Sequence, residues 1–304
     1  MRRTGPDPGR RRRGHGLTLV EMVVALSVLG VIAMMAVPML NLPVRAWSEA
    51  AVRRDLAAEL RLAYVRMDDE LRRALPGSVR HRQLGARHWL EFLTVRASTR
   101  ARAAPAAAAP VCPLACAAPG NNDSLEPSCA ESCFTTLGPW VGDPVQPGQD
   151  WLVVDPRMPG SAWDPYVGGS AVVAGGIKSR ITAVTALPDG SRVDIAPHAF
   201  PSLAASRRVW AVAEPVSFQC DPGSSTLLRH SGYAIAAAQP TAFAGATTTT
   251  LAGDIAACDF VVGSDLLHPP RQRVSVRMRV QRPAGAGVGA ESMESLWQWS
   301  LREP

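Results

Sequence analysis

Polarity changes character four times along the chain, and each change predicts an element. Residues 1–16 are polar and basic, ending in the run RRRRGHG at 10–16. The next 21 residues, Leu17 to Val37, are apolar except for Glu21 and two small hydroxyls, and they stop at Pro38. A run of that length suffices to cross a bilayer as one helix. From Leu42 the pattern becomes amphipathic. Leu56, Leu60, Ala63, Met67, Leu71 and Ala74 recur at spacings of three and four, which predicts a helix with one apolar stripe. Its other faces carry Asp68–Arg72 and Asp69–Arg73, i,i+4 pairs with the acid first, the better order. Pro76-Gly77 ends this helix. Anchor and stem together predict one helix of about 55–60 residues, roughly 85–90 Å long, which Pro38 and Pro43 bend or locally melt.

Beyond Trp89 the period falls to two. Strands are predicted over 89–95, 151–154, 179–187, 192–196, 208–219, 226–229, 273–281 and 293–301. Val274, Val276, Met278 and Val280 alternate with Arg and Ser, and Trp297, Trp299 and Leu301 share a face. Such alternation means an antiparallel sheet with one dry face, against which the stem stripe is expected to lie. Between Arg96 and Gln149 the pattern dissolves into Ala- and Pro-rich chain, predicted as an insertion over 97–149. The fold class expected is therefore α+β. Its divisions are 1–16 as a basic leader, 17–37 as a transmembrane helix, 38–75 as a stem helix, and 76–304 as a β domain.

Glu21 is the residue that demands chemistry. A carboxyl group within an apolar span costs on the order of 2–3 kcal/mol even on the lenient insertion scale, so it calls for a partner. Cleavage after Gly16 would create one, because the new α-amine of Leu17 lies one helical turn from Glu21. That ammonium could neutralise Glu21 in the same chain or in a neighbour.

The string Gly16-Leu17-Thr18-Leu19-Val20-Glu21, behind a basic leader and ahead of an apolar span, resembles the class III signal of type IV prepilins and type II secretion pseudopilins. The resemblance implies a pilin-like fold, cleavage by prepilin peptidase between Gly16 and Leu17, N-methylation of Leu17, and anchoring in the inner membrane through residues 17–37. Pro38 falls where such helices often carry a bending proline. This chain would begin with Leu where family members more often begin with Phe. A narrower likeness lies in 53–95 and in Pro215–Cys220 with Leu228–Tyr233. These stretches resemble the MshO-type minor pilins of the mannose-sensitive haemagglutinin (MSHA) pilus, which are similar to J-type pseudopilins. The insertion at 97–149 departs from that pattern.

Composition changes the picture in two places. The formal charge is +6, but residues 1–16 hold six Arg and one Asp, so the leader accounts for about +5 and the remainder for about +1. A basic leader serves the positive-inside rule, and no nucleic-acid partner is expected. Six cysteines beyond a membrane suggest disulfides. Cys112-x3-Cys116 and Cys129-x3-Cys133 also suit a twin CxxxC chaperone motif or zinc by spacing, although an exported loop favours covalent staples. If the pairs flank a hairpin around Asn121, nested bonds Cys112–Cys133 and Cys116–Cys129 follow, one of three possible connectivities. Cys220 and Cys258 are expected to join across the sheet.

No catalytic set emerges. His15, His81, His88, His198, His230 and His268 are scattered, and the chain contains no G-x-S-x-G, P-loop or GxGxxG. Asn122-Asp123-Ser124 fits a glycosylation sequon, a triplet frequent by chance. The sequence thus points to a non-enzymatic minor pilin without metal or cofactor. It would have its N-terminus in the cytoplasm and its C-terminal domain in the periplasm, and would enter a pilus near the tip. The expected partners are prepilin peptidase, other minor pilins, the major pilin and the inner-membrane assembly platform. The alternatives are a J-type pseudopilin of a secretion system, or an adhesin or DNA-uptake receptor at the tip.

Overall fold

A computed structural model describes residues 18–103, 112, 123–127, 129–168, 176–264, 272–283 and 289–301. Its first element is a single helix, α1 (Leu19–Arg72), of 54 residues, about 80 Å long at 1.5 Å per residue. The helix runs unbroken through Pro38 and Pro43, so the expected local melting is corrected. Each proline removes one N–H donor, and the intact turns on either side hold the backbone helical.

Among the described residues thirteen strands follow: β1 (Arg80–Leu84), β2 (Arg87–Arg100), β3 (Ala130–Thr135), β4 (Val141–Gly142), β5 (Trp151–Val154), β6 (Lys178–Leu187), β7 (Gly190–Ala199), β8 (Arg208–Asp221), β9 (Thr226–Ser231), β10 (Thr247–Ala252), β11 (Ile255–Ser264), β12 (Gln272–Arg282) and β13 (Glu291–Leu301). All pairings among them are antiparallel. The architecture is α+β and pilin-like: a long N-terminal helix on an antiparallel β domain.

Among the described residues the strands form two sheets rather than the single one expected. The larger has the order β1-β2-β8-β5-β6-β7-β3, with β9, β10 and β4 branching from it; the smaller is β11-β12-β13. The long central strands β2 and β8 pair along their whole length. The chain leaving α1 lies against β2, where Leu75 N–H donates to Leu93 O at 2.8 Å and Val95 N–H to Arg73 O at 2.8 Å. Helix and sheet are therefore held in register by backbone bonds at the helix end. Gly77 makes this exit possible: its φ is +77°, and a Cβ there would sit 3.1 Å from the Arg157 carbonyl.

The stem stripe closes a core shared by both sheets. Leu56, Ala63, Met67 and Leu71 are fully buried against Leu90, Phe92, Val216 and Phe218 of the large sheet and Val274, Val276, Met278 and Val280 of the small one. A second sheet goes unseen in periodicity because both sheets alternate in the same way. Farther from the helix the large sheet is covered on both faces: Leu152, Val154, Val209 and Ala211 pack on one side, Val153, Trp210 and Val212 on the other. Burial on both faces is why Trp151–Val154 is a continuous apolar run.

The insertion also needs correction. β2 extends through residues 97–100, β3 pairs with β7, and β4 pairs with β2. AESCFT in β3 carries no alternation, so only the tertiary partner identifies it as a strand. Gly190 shows how close that partner is, since a Cβ there would fall 2.2 Å from Thr136 O.

Candidate assembly site: the apolar helix and its clamp

The helix start is built by the same residues that form the cleavage string. Thr18 has an extended backbone (φ −78°, ψ 152°), and its hydroxyl accepts from Glu21 N–H at 3.3 Å. This is the Ser/Thr half of a capping box, in which the acid stands three residues after the cap. The carboxyl of Glu21 also lies in the first turn, where the positive end of the helix dipole favours an anion. Thr-x-x-Glu thus starts the helix as well as marking the chain, and this cap signature is legible in the contiguous sequence. Gly16 and Leu17 lie outside the described residues, as do their geometry and any amine–Glu21 distance.

From Leu19 to Ala36 nothing on the helix is buried, and the stretch is long and apolar enough to cross a membrane. Glu21 is its one charged residue. Ser27 turns its hydroxyl back to Val24 O at 2.8 Å, which satisfies it within the helix. Side-chain surroundings of Pro38 lie outside the description; its backbone is helical.

The other half of α1 is fixed to the β domain by polar contacts flanking the buried stripe. Arg53 makes a two-pronged bond to Glu291 of β13, at 3.0 and 2.8 Å. Glu59 accepts from Gly253 N–H at 2.5 Å, Asp68 from Trp299 Nε1 at 2.9 Å, and Glu70 from Arg229 at 2.5 Å. Arg282 reaches Asp55 at 3.6 Å. The charges respond accordingly. The hydrogen bond from Arg53 holds Glu291 below its ordinary range, and that from Arg72, aided by Trp299, does the same for Asp68. These contacts span five helical turns, so the apolar half projects from a rigidly held stem. Trp47, Leu62 and Val65 remain exposed on the stem, apolar surface that a neighbouring helix could cover.

Disulfides staple the β domain, and two of them have both partners among the described residues. Cys220 of β8 bonds Cys258 of β11, the pairing expected from the sequence, and because these strands lie in different sheets the bond joins the large sheet to the small one. Cys112 bonds Cys133 of β3. Cys129 is also disulfide-bonded, while Cys116 lies outside the described residues.

Among the described residues no group of three or more His, Cys, Asp or Glu is placed to hold a metal. The structure does bring two of the scattered histidines together: His81 and His88 stack with ring nitrogens 3.2 Å apart. Burial lowers the pKa of both. Asp123 and Ser124 of the sequon are buried, and Asn122 lies outside the described residues.

Residues 11–37 match the family model for the prokaryotic N-terminal methylation motif. The chain carries a prepilin-type signal. No curated protein and no solved structure matches the chain. A prepilin-type motif on an exposed apolar helix fits membrane anchoring, processing by prepilin peptidase and assembly with other pilins, and it supports a structural protein of the type IV pilin or pseudopilin kind.

Proposed function

We propose that the protein is a minor pilin of the MshO type, which joins other minor pilins to initiate or cap an MSHA-type pilus. Prepilin peptidase cuts between Gly16 and Leu17, and the new amine is methylated. Residues 17–37 hold the subunit in the inner membrane with the β domain in the periplasm, until the assembly platform moves it into the filament, where it stays near the tip. The observation that carries this reading is the joining of a prepilin-type signal to a single helix, apolar and bare at one end and clamped to a β domain at the other. The likeness of residues 53–95 and of Pro215–Cys220 to MshO-type stems and sheets supports the narrower assignment.

Glu21 supplies register. In hydrocarbon its charge is costly, and a neighbour's α-amine lowers that cost as helices stack. Mass spectrometry of the mature polypeptide tests the reading: it should begin with N-methyl-Leu17. A chain still beginning with Met1, or trimmed beyond Val37, overturns it.

A further inference from the structure

A cavity of about 530 Å³ opens beside β5, β6 and β8, with Trp151, Tyr166, Lys178, Arg180, Glu214 and Tyr233 in its wall. That volume is in the range of small-molecule sites, and aromatic walls with a few polar groups are their usual lining.

The cations in this wall are unusual for the chain. Lys178 is its one lysine, and only 3 % of it is exposed. Its ammonium donates to Pro165 O at 3.0 Å and stands 5.8 Å from the centre of the Trp151 ring. Among the described residues no carboxylate approaches it within the 4.0 Å of an ion pair. Its three donors thus have one hydrogen-bond acceptor among the described residues. Burial pulls the Lys178 pKa down to about 8; Asp164 raises it and Arg80 lowers it further. Arg180 lies flat on Trp151, 3.7 Å from the ring centre, and donates to Gln149 O. It has no ion-pair partner among the described residues either. Nearby Arg80 provides the contrast, since its buried charge is matched by buried Glu91 at 2.7 Å. A buried ammonium without such a match is destabilising unless an anion joins it.

We propose that this cavity binds a small organic monoanion through its carboxylate. The oxygens are taken by Lys178 and the fork of Arg180, and the body of the ligand lies along Tyr166 and Tyr233. The wall itself carries two cations and one exposed acid, Glu214, and Asp164 and Asp150 act on Lys178 and Arg180 from outside it, so the site has no surplus of positive charge for a dianion; the planar guanidinium matches a carboxylate in shape. The carboxylate could belong to a peptide chain end or to a sugar acid.

Calorimetric titration of the full chain in detergent micelles distinguishes these. Hippurate represents a chain end and glucuronate a sugar acid, each paired with its neutral amide. At least one acid should bind with a Kd on the order of 1 mM or tighter, its amide at least about tenfold more weakly, and it should slow acetylation of Lys178 read by mass spectrometry. Preference for hippurate or for glucuronate identifies the source. Lys178→Met and Arg180→Gln should each weaken binding about tenfold or more. Arg180 is the less buried of the two, so Arg180→Gln, with its melting temperature checked against the parent chain, carries the test if Lys178→Met does not fold. No binding by either acid at about 10 mM, amides that bind as well as acids, or unchanged affinity in a folded Arg180→Gln overturns the proposal.

Discussion

Glu21 and Thr18 divide one short string between two physical tasks. Thr18 satisfies an otherwise orphaned backbone N–H at the helix start, while Glu21 places the one charge in an otherwise apolar span. Glu21→Ala leaves the cleavage site and the cap hydroxyl untouched, so processing should persist and incorporation into filaments should fall at least about tenfold, the order expected from losing 1.4 kcal/mol or more of pairing. Immunoblots of the processed chain beside sheared surface fractions measure both, and normal incorporation would remove the register mechanism. Glu131 makes a separate prediction at this scale. It is 4 % exposed in β3; burial, with some repulsion from Glu126, pushes its pKa up to about 7. Between about pH 4.5 and 7 the folded chain keeps a proton that the unfolded chain has lost. Its contribution to stability therefore declines as pH rises through that window, by an amount on the order of 3 kcal/mol, and is level above it. Melting temperatures from pH 5 to 7.5 should show this decline, and Glu131→Gln should flatten it.

Helix α1 joins, at the scale of the element, two halves of opposite character. Its first half is bare and apolar; its second half buries one stripe and holds it with ion pairs at the edges. The pairs are partly exposed, with Arg53 57 % accessible, so each contributes little and the stripe supplies the affinity. Leu60→Ala or Met67→Ala should cost about 2–5 kcal/mol. In a domain this size, that lowers the melting temperature by roughly 5–15 °C, measurable by circular dichroism in detergent. Arg53→Ala should shift it by no more than a few degrees. A small effect of both core substitutions would mean that the stem is not seated as described.

Two sheets, one helix and the Cys220–Cys258 bond make a single β domain at the scale of the whole molecule. The bond closes 38 residues and ties the small sheet to the large one beside the stem. By the loop-entropy account it contributes about 4 kcal/mol. Replacing both cysteines by serine should lower the melting temperature by roughly 10 °C and raise protease cleavage within 255–301, the span holding the small sheet. Unchanged protease resistance would assign the joint to the stem core alone.

Local order along the chain was enough to set the long helix, its stripe and most strands, because each is a periodicity of 3.6 or 2 read over neighbouring residues. It also held the methylation motif, a string of contiguous residues. The partition into two sheets was decided only in three dimensions, since Val274–Val280 alternate identically whichever sheet they join. The same holds for β3, β10 and β11, whose sequences lack clean alternation and whose pairing comes from β7, β9 and β12. The cavity around Lys178 belongs to this second kind too. Trp151, Lys178, Glu214 and Tyr233 are far apart in sequence, and the Lys178 charge, without an ion-pair partner among the described residues, has meaning only once folding has removed water from around it.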